Sequence, residues 1–136
     1  MIIFQNGLIS LDYNPSTDIL TVDLPNAITF GVPELNRSLE LVAEHVRNYD
    51  IKKLLLDSSH VLVDQIEDDT YKRIVTRFVE DLTKSRLEKV ARVNSSIHSA
   101  ETRAVAVTSE ASDRTNAAMQ IRMFSGKYEA LNWLLS

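Results

Sequence analysis

Apolar and polar residues alternate near the start of the chain, with Ile9, Leu11 and Tyr13 set against Leu8, Ser10 and Asp12. A period of two sends successive side chains to opposite faces and predicts a strand. Asn14-Pro15-Ser16-Thr17-Asp18 interrupts it with turn-forming residues, and Ile19 to Leu24 resumes a β-rich run. Leu8 to Leu24 therefore reads as a β-hairpin with a loop of about five residues. Pro25 and Asn26 end it, and Ala27 to Phe30 reads as a short strand or an extended link.

The period then changes. Leu35, Leu39, Val42, Ala43 and Val46 recur at helical spacing, and Pro33 suits a first helical turn, so Pro33 to Asn48 reads as an amphipathic helix. Ile51 to Asp57 holds a short continuous apolar run, the mark of a strand buried on both faces. Ser58 to Gln65 reads as a connection. A second helix opens at Asp68, Asp69 and Thr70, carries the stripe Tyr71, Ile74, Val75, Phe78, Val79 and Leu82, and ends near Lys84. Leu87 to Val93 reads as the next strand. Ala100 to Ala111 is strand-like in its Ala-Val core but helical in its flanks, and helix is favoured. Met119 to Phe124 reads as a last strand, and Tyr128 to Leu135 as a terminal helix after Gly126.

Helices alternating with single strands imply right-handed crossovers and a mostly parallel sheet. The expected fold is α/β: a mixed sheet of four to five strands, an antiparallel N-terminal hairpin strand and about four helices, forming a single domain over 1–136. Composition agrees, since 44% apolar and 25% charged residues describe a globular chain. The absence of cysteine removes disulfides and thiolate chemistry and fits a reducing, cytoplasmic setting. The first residues lack a basic leader region, and no apolar run reaches the ~20 residues of a membrane span. A net charge of −4 argues against nucleic acid as a partner, because phosphate neutralisation needs the opposite sign.

Three stretches carry a resemblance to a known family. They are Tyr13-Asn14-Pro15-Ser16-Thr17-Asp18-Ile19-Leu20, Lys53-Leu54-Leu55-Leu56-Asp57, and Ile121-Arg122-Met123-Phe124 followed by Glu129-Ala130-Leu131-Asn132-Trp133-Leu134. In this order they resemble the first hairpin, the central strand and the closing strand and helix of the STAS domain, in its SpoIIAA-like branch. The resemblance implies a non-catalytic regulatory module that binds a protein partner, with a small-ligand or lipid carrier as the alternative. The family's phosphorylated Asp-Ser-Ser-Gly motif does not carry over. Asp57-Ser58-Ser59-His60 looks like it but follows the central strand directly. At the motif's own place stand Asp64, Gln65, Ile66 and Glu67. No phosphorylation site is expected, with Ser58 and Ser59 the weak candidates.

Candidate chemistry is sparse. Of three histidines, His45 is expected at the solvent edge of the first helix, and His60 and His98 in loops; none has a partner at metal-ligand spacing. No metal and no cofactor are expected. The isolated glycines Gly7, Gly31 and Gly126 build no phosphate loop. Ser58, Ser59, His60 and Asp64 form the most enzyme-like cluster, but adjacent side chains point apart and no nucleophile elbow forces them together. A third, hydrolase-like reading rests on that loop alone. Loops beyond the carboxyl ends of parallel strands are where α/β sheets bind ligands, so Asp57, Ser58, Ser59, His60 and Asp64 are the expected ligand or partner-binding residues. Trp133 reads as core or near-core, and Lys84, Arg86, Lys89 and Arg92 as a solvated helix end. An antiparallel edge strand could pair across a homodimer axis.

Overall fold

The alternating N-terminal run forms a hairpin, and a further strand precedes it. β1 (Ile2–Gln5), β2 (Ser10–Asn14) and β3 (Ile19–Asp23) make an antiparallel unit. The computed structural model describes residues 1–5, 9–24, 32–57, 67–93 and 119–136. Leu11 pairs with Val22 and Tyr13 with Leu20, so one face of the hairpin is apolar while Asp12, Asn14 and Thr21 line the other. The turn is held by its own side chains. Asn14 Oδ1 accepts the Ser16 N–H at 3.0 Å, and the Tyr13 hydroxyl donates to Asp18 Oδ1 at 2.7 Å. Asp18 takes a left-handed φ of 57°, a conformation that Asp tolerates better than most non-glycine residues.

The rest of the sheet is parallel. After β3 come α1 (Val32–Asn48), β4 (Lys53–Asp57), α2 (Asp68–Thr83), β5 (Lys89–Val93), β6 (Gln120–Phe124) and α3 (Lys127–Leu135). The strands lie in sequence order, β1-β2-β3-β4-β5-β6. Among the described residues the sheet thus has six strands, where the spacing predicts four to five. The added strand is β1, whose four residues carry a bulge between Ile2 and Phe4 that breaks the alternation. Three helices lie among the described residues. The expected helix over 100–111 and the link over 27–30 fall outside them.

α1 ends in a left-handed cap. The Ile51 N–H reaches back to the Val46 carbonyl at 3.1 Å and the Asp50 N–H to Arg47 at 3.4 Å, with Asp50 at φ 52°. Val46 and Ile51 are both fully buried, the apolar contact that accompanies this motif. It turns the chain directly into β4, whose Leu54, Leu55 and Leu56 are all buried.

Two apolar layers follow from that strand. Leu20, Val22, Leu54, Leu56 and Val90 face α1 and α2, meeting Leu39, Val42, Val46, Ile74 and Phe78. Ile19, Leu55, Ala91 and Val93 face the other way and meet Ala130 and Leu134 of α3. Right-handed crossovers between strands laid down in one direction put α1 and α2 on the same side, which leaves the opposite face for α3.

Leu55→Ala should cost about 2–5 kcal/mol, because it removes the side chain on which α3 rests. Urea unfolding should show a lower midpoint at unchanged slope. In the hairpin turn, the hydrogen bond to Asp18, then partial burial and the nearby carboxylate charge, raise the Tyr13 phenol pKa above its ordinary value. A raised folded-state pKa means the interaction helps below the unfolded phenol pKa and is lost as pH climbs through the folded one. Asp18→Asn should bring this tyrosine's ionisation to lower pH, seen as a difference in tyrosinate absorbance between the two proteins.

Candidate functional site

Of the residues expected to bind a ligand or partner, Asp57 is described and Ser58, Ser59, His60 and Asp64 lie outside the described residues. Asp57 closes β4. Its carbonyl accepts the Leu24 N–H at 3.1 Å, which ties the ends of β3 and β4 together. The register sets Asp57 beside Asp23 and Val93, on the sheet face that carries α3. Glu67 stands at the start of α2 with φ −56° and ψ 141°, close to polyproline geometry, and makes no capping bond with its side chain.

On the opposite face, a cavity of about 90 Å³ lies under α2 and the first half of α1, over the parallel strands β4 to β6. Leu56, Val90, Ile121 and Met123 form its floor, and Tyr71 and Phe78 stand over it. Arg92 brings a charge to this lining, and its Nη1 sits 3.9 Å from Met123 Sδ. The cavity therefore pairs an apolar wall with few polar groups, the composition of small-molecule sites.

A second cluster lies on the α3 face at the β6 edge. Trp133 is half-buried, with its ring tilted against Phe124 at 5.6 Å between centroids. Lys89 Nζ lies 5.3 Å from the Trp133 ring and donates to the Trp133 carbonyl at 3.3 Å and the Ser136 carbonyl at 3.0 Å. The exposed Arg122 guanidinium lies 5.8 Å from the Phe124 ring and 5.9 Å from that of Trp133. Cations stacked on aromatic faces are held in place while their outer sides stay open to water.

The basic residues read as one helix end are in fact dispersed. Lys84 caps α2, and Arg86 pairs with Asp50 at 3.8 Å. Lys89 and Arg92 belong to β5 and sit on opposite faces of the sheet, because β5 is a strand with a period of two. His45 is half-buried rather than solvent-facing. Its Nδ1 meets the Leu41 carbonyl at 2.7 Å, and its ring lies between Phe4 and Tyr49 at 5.0 and 6.1 Å. β1, unforeseen from the spacing, supplies that cover. Trp133 stands near the core, as its neighbours in sequence suggest.

The sequence reading missed Arg122. Its signal is the i, i+2 pair with Phe124 in an alternating strand, but the third member, Trp133, is joined only by the docking of α3. Among the described residues, no group of three acidic or histidine side chains could hold a metal ion, and no helix is long and apolar enough to cross a membrane. No protein-family model, curated protein or solved structure matches the chain.

One buried hydroxyl invites a chemical role and has none in this geometry. Ser38 of α1 is 1% exposed, its Oγ lacks a hydrogen-bond partner, and it does not line the cavity. An unsatisfied buried hydroxyl is a cost, and alanine is the better helix former. Ser38→Ala should raise stability by about 1 kcal/mol, read as a higher thermal midpoint.

Proposed function

We propose that this chain is a non-catalytic binding module of STAS type that acts by docking a protein partner. Three features support the reading: an antiparallel N-terminal unit leading into parallel strands, α1 and α2 on one face with α3 on the other, and the three sequence stretches that resemble the family. The observation that carries it is the size of the cavity. At about 90 Å³ the apolar cavity is well below the ~300–1,000 Å³ of typical ligand pockets, while the larger hollows, about 740 Å³ along α2 and about 600 Å³ beside the hairpin, are open surface grooves, which supports recognition at the surface.

The negative start of α2 fits a module without a phosphate switch. Glu67 and Asp69 already place exposed carboxylates there, and a phosphate added beside them would meet like charge. The second reading, a carrier of a small ligand or lipid, is favoured by one feature: the almost wholly apolar cavity wall, with Tyr71 and Arg92 among its lining.

Two measurements separate these readings. Affinity capture from extract of the native cell at low salt should recover a stable partner that then co-elutes with the purified chain at fixed stoichiometry. Native mass spectrometry of the chain alone should give the mass of the bare polypeptide. A retained amphiphile, with no partner recovered, would establish the carrier reading in its place.

A further inference from the structure

We propose that the outer edge of β6 is a docking site for an extended peptide whose residues alternate apolar and acidic, joining the sheet as a seventh strand. This inference rests on the binding-module reading and names the chemistry of the partner.

The backbone supplies the first part. Among the described residues, no strand lies beyond β6. The Gln120 N–H bonds to the Glu88 carbonyl at 2.9 Å, so residue 120 turns its amide toward β5. Backbone groups of successive strand residues point to alternate sides, so Ile121 and Met123 direct their N–H and C=O groups away from β5, where no strand lies among the described residues. An extended peptide satisfies such groups by strand addition.

The two faces of β6 then dictate the side chains. On the α1/α2 face, Ile121 and Met123 belong to the wall of the apolar cavity, and neighbouring peptide residues on that face would continue it. On the α3 face, Arg122 lies between its aromatic supports and makes no ion pair among the described residues. Its guanidinium lies within cation–π range of both rings, which favours its standing at this edge, and its donors suit a carboxylate. Lys89 adds positive charge behind Trp133, and the nearby Glu129 carboxylate is engaged by the Ser125 hydroxyl at 3.5 Å. In a chain of net charge −4, this local reversal of sign gives charge complementarity to an acidic strand. The strand-edge geometry favours a peptide over an anionic membrane, which has no backbone to pair.

The probe is a capped peptide of alternating valine and glutamate, titrated into the full chain. The single tryptophan, Trp133, serves as the reporter, since it lies against Arg122. Saturable binding should shift its fluorescence. Replacing glutamate by glutamine in the peptide, or making Arg122→Gln in the protein, should each weaken binding about three- to tenfold. Of two further versions of the peptide, one N-methylated on the valines and one on the glutamates, the version methylated on the N–H groups that face β6 should not bind. Thermal melting checks that Arg122→Gln remains folded, and the altered peptides test the idea without changing the protein.

No saturation up to about 1 mM, or undiminished affinity for the glutamine peptide or for both N-methylated peptides, would overturn the proposal. So would Arg122-dependent binding to phosphatidylserine vesicles in the absence of peptide binding. A cellular partner captured equally by wild type and Arg122→Gln would leave the module reading in place while removing this one.

Discussion

Burial of β4 on both faces is the constraint from which the rest follows. Leu54 and Leu56 point one way and Leu55 the other, and none keeps more than 6% of its surface. Each such leucine contributes about 1.5–3 kcal/mol on burial, but only if a layer lies on its side. A strand of this kind needs flanking strands that satisfy its backbone and helices that cover both faces. Parallel pairing with β3 and β5 meets the first need. The second divides unequally, because right-handed crossovers send α1 and α2 to one face and leave α3 to close the other.

That inequality shapes where recognition can occur. α3 is a helix of nine residues and rests on β4, β5 and β6. Beyond its reach, the hairpin shows Asp12, Asn14, Thr21 and Asp23 on the same face, side chains that remain in water at no cost. At the other margin of α3, the core ends in Phe124 and Trp133, and Arg122 and Lys89 lie against these rings. The arrangement exposes little bare apolar surface, while each cation keeps a side that a partner could use. On the α1/α2 face, a cavity of about 90 Å³ remains beneath α2.

The period of hydrophobic positions made much of this legible. Leu11 and Val22 announce a hairpin by alternation, Leu39, Val42 and Val46 a helix by recurrence, and the Leu54–Leu56 run a doubly buried strand. These patterns depend on local geometry, which sequence spacing records directly. β1 escaped because a bulge within four residues removes its period. The dispersal of Lys84, Arg86, Lys89 and Arg92 escaped because the border between helix and strand falls among them, and each element sends its side chains in different directions. The aromatic–cation cluster is the least legible feature. Lys89, Arg122, Phe124 and Trp133 come from three elements, and only the packing of α3 across the sheet brings them together. Asp57 was found as a strand-end residue, but its face follows from register with Asp23, which no single strand reveals.

The two edges of the sheet are not equivalent, and the difference bears on how such a module avoids pairing with itself. β1 is short and carries a bulge, which twists the strand and spoils its regular row of donors and acceptors. Among the described residues, β6 runs five residues in unbroken register with β5 and carries no bulge. Its protection is Arg122. A charge on an edge strand opposes a second identical edge, since antiparallel pairing about Arg122 would set two guanidinium groups side by side. The same charge welcomes a strand with a carboxylate at that position. On the docking proposal, the same residue that opposes pairing of β6 with itself would select for an acidic partner, so the two effects at this edge would share one physical origin.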